Sequence, residues 1–371
     1  MTSRERRMCV FRREKPDRAP VKVWGVEPGV QVVHASYQPL VDYALEKTDL
    51  VGSWSLPGGL FLSASQNVAL RTQERPSVHA NYRERVTIVE TPQGPLSRID
   101  AYSTAGLPGR CLEYLIETPE DARRFLSMPF VPVRGNCSSF FERDQQMGER
   151  GIVIVGFQHA MYSINAQMGS TTFALWSVER RALLVELIEM MQERCVDYVR
   201  YLLDQGVGPV FGYVGPELCI PPLQSVKDFR ELSLKYDRQI VNLIHSRGGF
   251  VWCHCHGKMG PVLEDFADLG VDVLNPIEPP PMGDITIAEA KRWVGRRMAL
   301  EGNIEKGEFY TATAERMRAL VRQAVEEGAP GGGFILCPTS SFQEWPVCSE
   351  TVFRNFRVFI DAGLEFAAGI R

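Results

Sequence analysis

The sequence predicts an α/β protein, a (β/α)₈ TIM barrel with N-terminal insertions that include a β-hairpin. Three observations lead there. From residue 150 onward, short apolar runs alternate with stretches whose apolar residues recur at helical spacing. With two further runs near the start, about eight strands can be counted, the number of a closed barrel. Finally, no GxGxxG follows a strand, as an open dinucleotide-binding sheet would require.

The elements follow in order. Arg4 to Arg12 reads as a helical lead-in closed by Lys15-Pro16-Asp17, and Ala19 to Gly25 as a first strand. Tyr37 to Glu46 is a helix and Asp49 to Trp54 a weak strand. Val86 to Glu90 and Leu96 to Tyr102, separated by Pro92-Gln93-Gly94, give a hairpin signal. Thr118 is placed to cap a short helix opening at Pro119. Then come the strand Ile152–Phe157, the helix Glu179–Leu203, the strand Pro209–Tyr213 and the helix Val226–His245. Strands Phe250–Cys255, Val271–Pro276, Arg297–Gly302 and Phe334–Cys337 follow, with helices Val262–Leu269, Thr286–Val294, Thr313–Glu327 and Ser349–Ala362 between and after them. The chain reads as one domain, 1–371, with 80–135 as a surface hairpin and linker insertion.

Composition narrows the function. Hydrophobic content of 44% and charged content of 23% are those of an ordinary globular protein. A net charge of -4 argues against nucleic acid as the main partner, since phosphate binding needs a basic patch. No apolar run reaches membrane-spanning length, and the first residues are charged, unlike a signal peptide. Nine scattered cysteines, an odd number, do not form a secreted disulfide framework. A cytoplasmic protein with no membrane partner is expected.

In such a barrel the active site lies at the C-terminal ends of the strands, and chemistry-bearing residues fall there. The run from Phe250 ends in Cys253-His254-Cys255-His256-Gly257. Strand side chains alternate, so His254 and His256 share one face and Cys253 and Cys255 the other, where core packing is their expected role. The next run delivers Glu278 at its own end, so His254, His256 and Glu278 are candidate metal ligands, with Cys337 or Glu217 as a possible fourth. The plain alternative is a pair of core histidines bonded to carbonyls. Glu217 and His159 are candidate catalytic groups, and Gln158, Tyr213 and Asn303 candidate substrate contacts, each at or beside a strand end. Imidazole and carboxylate suit zinc, and also iron, manganese or nickel.

Several stretches together resemble the uroporphyrinogen decarboxylase superfamily. They are Asp17-Arg18-Ala19-Pro20-Val21, Cys253 to Gly257, Gly270 to Leu274, Leu300-Glu301-Gly302-Asn303-Ile304 and Gly331 to Leu336. The resemblance covers nearly the whole chain and is strongest from about residue 205 onward. It implies a (β/α)₈ barrel and leaves two activities. The decarboxylases carry an arginine-rich motif of the form PVWxMRQAGR near the start, whereas this chain has Ala19 to Gly29 without those arginines. The other branch holds zinc methyltransferases that move a methyl group between a corrinoid protein and a thiol, with a His-x-Cys-Gly motif and a later Cys. His254 and Gly257 match that motif, His256 stands where its Cys belongs, and Cys337 lies about three residues before the later Cys position near Ser340.

A His/His/Glu site is harder than a thiolate site and suits an oxygen substrate at least as well. The leading expectation is therefore a zinc-dependent methyltransferase or demethylase acting on a small molecule, with a corrinoid on a partner protein and a possible homodimer. A metal-free carboxy-lyase and a non-catalytic ligand-binding barrel are the alternatives.

Overall fold

The computed structural model describes residues 1–65, 68–341 and 347–369. Its organising element is a curled, TIM-barrel-like sheet of seven parallel strands. These are β1 (Leu50–Trp54), β6 (Gly151–Gly156), β7 (Val210–Val214), β8 (Phe250–His254), β9 (Val273–Asn275), β10 (Ala299–Ile304) and β11 (Phe334–Pro338), in that spatial order. A separate antiparallel sheet, β2 (Leu70–Pro76), β3 (Tyr82–Thr91), β4 (Gly94–Ser103) and β5 (Arg110–Glu113), includes the expected hairpin, with Thr91 opposite Gly94 at its turn.

The expected first strand differs. Within Ala19–Gly25 only Val21 forms a bridge, to Leu336 of β11. Lys22 N–H donates to the Leu336 carbonyl, Leu336 N–H to the Pro20 carbonyl, and Asp49 N–H to the Val21 carbonyl. The segment thus joins the two edges of the sheet without extending into a ladder. Pro20 lacks an N–H, the Val21 N–H goes to the Asp49 carboxylate, and Gly25 turns the chain at a φ of 68°.

Alternation along the strands sorts two cores. Ile152, Ile154, Val210, Trp252, Val273, Ala299 and Ile335 face inward. Their outward neighbours Val153, Phe211, Tyr213, Val251, Cys253, Leu274 and Leu336 pack in the layer of surrounding helices. The inner core is stoppered from below by α1 (Ser3–Phe11), whose Val10 and Phe11 complete it. Thr2 and Glu5 form a capping box that starts this helix. Burying Phe11, 1% exposed, contributes about 1.5–3 kcal/mol, and Phe11→Asp would unseat the stopper.

Helices lie between the parallel strands as expected, with two long additions, a short one at Glu308–Thr311 and one refinement. The long additions are α4 (Ser138–Met147) and α5 (Ala160–Glu179), which follow α2 (Gln38–Lys47) and α3 (Pro119–Leu126). After α6 (Arg181–Asp204), the helix expected at Val226–His245 contains a π-helical turn, Arg230–Leu234. All nine cysteines are free. No helix among the described residues is long and apolar enough to cross a membrane.

Candidate active site

With α1 filling the lower end, the open end of the sheet holds a cavity of about 630 Å³. Its lining includes Lys22, Trp24, Glu217, Trp252, His254 and His256. The reason two histidines reach it is the pleat. Trp252 and His254 are two apart on β8, face inward together, and stack at 5.8 Å between ring centroids. His256, just past the end of the strand, sets its ring edge-on to His254 at 4.5 Å. Cys253 and Cys255 are fully buried on the helix side, where burial pushes both thiols well above the usual range.

Each imidazole is held by its Nδ1. His254 Nδ1 meets Asn275 Oδ1 at 2.7 Å, and His256 Nδ1 meets Glu278 Oε1 at 2.9 Å. Burial, aided by the charges of His256 and Lys22, brings His254 down to about 4, so it is neutral near pH 7. His256 is raised, chiefly by its hydrogen bond to Glu278, against its own burial. Burial works to raise Glu278, but bonds from His256 and the Gly257 N–H (2.7 Å) overcome it and hold the carboxylate below its ordinary value. Glu278 therefore stands behind His256 with both oxygens engaged.

Glu217 follows Gly215, whose φ of 107° turns the chain out of β7. Burial raises its pKa, against backbone N–H groups and the nearby His256 and His159. Its Oε2 is buried with no hydrogen-bond partner among the described residues. By donor chemistry, His254 and His256 with Glu217 fit a divalent ion of the zinc type, the orphaned carboxylate oxygen being the observation that favours it. The fit is one of donor chemistry alone: among the described residues no three His, Cys, Asp or Glu side chains are gathered closely enough to hold a metal.

The remaining expected residues sit elsewhere. Cys337 is fully buried on β11 beside Lys22 and Glu301, its thiol raised by burial. Tyr213 has the outward parity on β7, so Gly212 and Val214 line the cavity in its place. Its buried hydroxyl lies against the Cys253 thiol on the helix side, and burial pushes it well above its ordinary pKa. His159 is wholly buried with Nδ1 on Asp237 at 3.1 Å, and reaches the cavity only through Tyr162, on which it stacks. Gln158 is exposed and takes a bond from Ser163 Oγ. Asn303 lines a second, smaller cavity of about 260 Å³ with Glu305 and Arg316.

Five residues of the site were not foreseen: Lys22, Trp24, Trp252, Asn275 and Glu301. Lys22 Nζ lies 3.7 Å from the Trp24 ring centroid and 2.5 Å from Glu301 Oε1. Glu301 also takes bonds from Trp252 Nε1 at 3.3 Å and Asn275 Nδ2 at 2.9 Å. One signal was present. Lys22 and Glu301 are charged residues within otherwise apolar strand-like runs, which places a charge inside a core unless it is paired.

Comparison with known proteins agrees with this architecture. The uroporphyrinogen decarboxylase (URO-D) family model matches residues 146–362. A uroporphyrinogen decarboxylase of Thioalkalivibrio sulfidiphilus is 33% identical over 120 residues, 29% of this chain and 30% of that protein. One from Neisseria meningitidis is 26% identical over 208 residues, 50% of this chain and 52% of that protein. The chain thus spans about half or less of the curated relatives it matches. A methyltransferase from Methanosarcina mazei superimposes with a TM-score of 0.62 at 15% identity, covering 99% of both chains, a likeness of fold. A family match across more than half the chain, over the strands that carry both histidines and Glu278, makes this protein a member of the uroporphyrinogen decarboxylase family.

Proposed function

We propose that this chain is an enzyme, a zinc-dependent methyltransferase or demethylase that moves a methyl group between a small molecule in the cavity and a thiol or corrinoid acceptor. One observation carries the reading. His254 and His256 line one cavity, and each has its Nδ1 fixed by an oxygen partner. Ligating histidines are held in this manner. The solved methyltransferase of like fold is in keeping with it.

His254 and His256 would hold the metal, with Glu217 as third donor or proton-exchanging group and Glu278 orienting His256. When bound, such a metal lowers the pKa of an acceptor thiol or hydroxyl and makes it a nucleophile at neutral pH. The protein supplies the rest. Trp24 and Trp252 give the cavity an apolar floor that excludes water, and Glu217 Oε2 is free to take or give a proton. We take residues 1–371 as one cytoplasmic barrel domain closed by the segment 20–22. Its corrinoid would be carried by a separate protein, and a homodimer is the proposed assembly.

The relatives named as decarboxylases favour a second reading, a metal-free carboxy-lyase. Against it, Lys22 is the one Lys or Arg among the described lining residues, and Glu301 pairs it. A substrate with many carboxylates would find little to bind there.

The test is elemental analysis of tag-free protein beside the His254→Ala/His256→Ala variant, with methyl transfer to cob(I)alamin and to a thiol as activity. Near-stoichiometric zinc, lost with activity in the double variant, supports the proposal. Wild-type protein that stays free of zinc after incubation and decarboxylates a porphyrinogen overturns it.

A further inference from the structure

The hydrogen bonds behind His254 run in one direction only. Glu301 is 1% exposed, and as a carboxylate it can only accept. Its Oε1 takes Lys22 Nζ and Asn275 Nδ2, and its Oε2 takes Trp252 Nε1. All three partners are donors without a competing acceptor at that atom. Because Asn275 must turn its amide NH₂ toward Glu301, its Oδ1 is turned toward His254. A carbonyl oxygen can only accept, so the proton between them belongs to His254 Nδ1. A neutral imidazole carries one N–H, so Nε2 is left bare.

We propose that Lys22, Glu301 and Asn275 form a positioning relay that locks His254 in its Nδ1–H tautomer and presents the Nε2 lone pair to the cavity. The relay crosses the inside of the barrel. It starts on the segment 20–22, passes through β10 and β9, and ends on β8, where His254 pairs in register with Asn275. Flipping the Asn275 amide would set oxygen against the Glu301 carboxylate and NH₂ against a protonated nitrogen. A buried mismatch of that kind shifts an equilibrium about tenfold or more. His256 reaches the same arrangement in one step, because Glu278 accepts from it directly. The two histidines are thus set alike by different means. The relevance of the lock to catalysis rests on the proposed metal site, whereas the lock itself does not.

The experiment is ¹⁵N NMR of histidine-labelled, metal-free protein at neutral pH, with the two ring nitrogens of each imidazole distinguished by their long-range proton couplings. There are six histidines, few enough for His254→Gln to identify the signal. Wild-type His254 is expected to carry its proton on Nδ1. Asn275→Leu, which removes the acceptor, should lose that preference about tenfold or more, while Asn275→Asp, which keeps an acceptor, should retain it. Zinc affinity should fall about 10–100-fold in Asn275→Leu and less in Asn275→Asp. A wild-type Nε2–H tautomer, or an unchanged tautomer in Asn275→Leu, overturns the relay. If Asn275→Leu does not fold, Glu301→Gln serves, because a glutamine amide can donate to Asn275 and free it to turn. A mixed tautomer there supports the relay, and an unchanged one sinks it. Since neither metal nor substrate is present, a negative result leaves the methyltransferase reading intact, and absent methyl transfer leaves the tautomer result intact.

Discussion

Glu278 reaches His256 through the ring nitrogen that faces away from the cavity: Oε1 accepts from Nδ1 at 2.9 Å while Oε2 accepts from the Gly257 N–H at 2.7 Å. The carboxylate therefore sets both the ring and the backbone of the turn after β8. Glu278→Ala is expected to weaken zinc binding about 10–100-fold, as loss of a ligand's outer partner does. Calorimetric titration of the metal-free protein checks this, and an affinity within twofold of wild type would count against the assignment.

Lys22 and Glu301 should couple strongly in stability. Both are nearly inaccessible, with side chains 3% and 2% exposed. Lys22→Met or Glu301→Leu alone leaves a buried charge unpaired, at a cost of about 3–5 kcal/mol. The double variant Lys22→Met/Glu301→Leu should recover most of the loss. Denaturant melts of the four proteins give the coupling; additive losses would show that the pair is not one unit.

Asp49 gives an acid-stability prediction. It is fully buried and accepts from Arg6 Nη1 at 2.6 Å, Arg18 Nη1 at 2.7 Å and the Val21 N–H at 2.9 Å. Burial would raise its pKa, but Arg18, Arg7 and Arg6 together hold it below the ordinary 3.8. A depressed folded value means that the contribution is complete above the unfolded pKa and is lost as pH falls through the folded one. Asp49→Asn should cost roughly 3–5 kcal/mol at pH 7 and flatten the fall in stability below about pH 4. Equilibrium unfolding across pH 2–7 decides it, and a variant curve parallel to wild type would refute it.

Gly215 is the hinge on which Glu217 hangs. At a φ of 107° a β-carbon would be strained in any case, and here it would overlap the Tyr162 ring. Gly215→Ala is expected to cost about 1–3 kcal/mol and to lower turnover more than Ala substitutions at distant surface sites. Thermal melts and activity together test it; an unchanged melting temperature would contradict the close approach.

What the sequence disclosed depended on distance along the chain. The shared face of His254 and His256 follows from strand periodicity alone, and the cap at Thr118 from local chemistry, with Asp121 completing its box. Helix α5 escaped notice because its buried residues include Ser163, Asn165 and Gly169 and leave no clean apolar stripe. Tyr213 was placed at the site by its position in the chain, though its parity points it outward. The Lys22–Glu301 contact joins residues 279 apart, and no local pattern can show which distant charge answers which. The role of Glu278 was half legible: its nearness to the histidines was expected, but that it stands behind one of them depends on the turn at Gly257.

The bridge between Val21 and Leu336 ties the segment 20–22 to β11, more than 300 residues away along the chain. A ribosome must have passed Leu336 before that seam can shut, and until then both sheet edges offer unpaired backbone to any neighbour. Lys22 lies on the seam itself, so the floor of the cavity is finished by the same event that removes the edges. Nascent chains stopped short of Phe334 should accordingly be sticky as well as inactive, and chains that include β11 should gain their site and their solubility together.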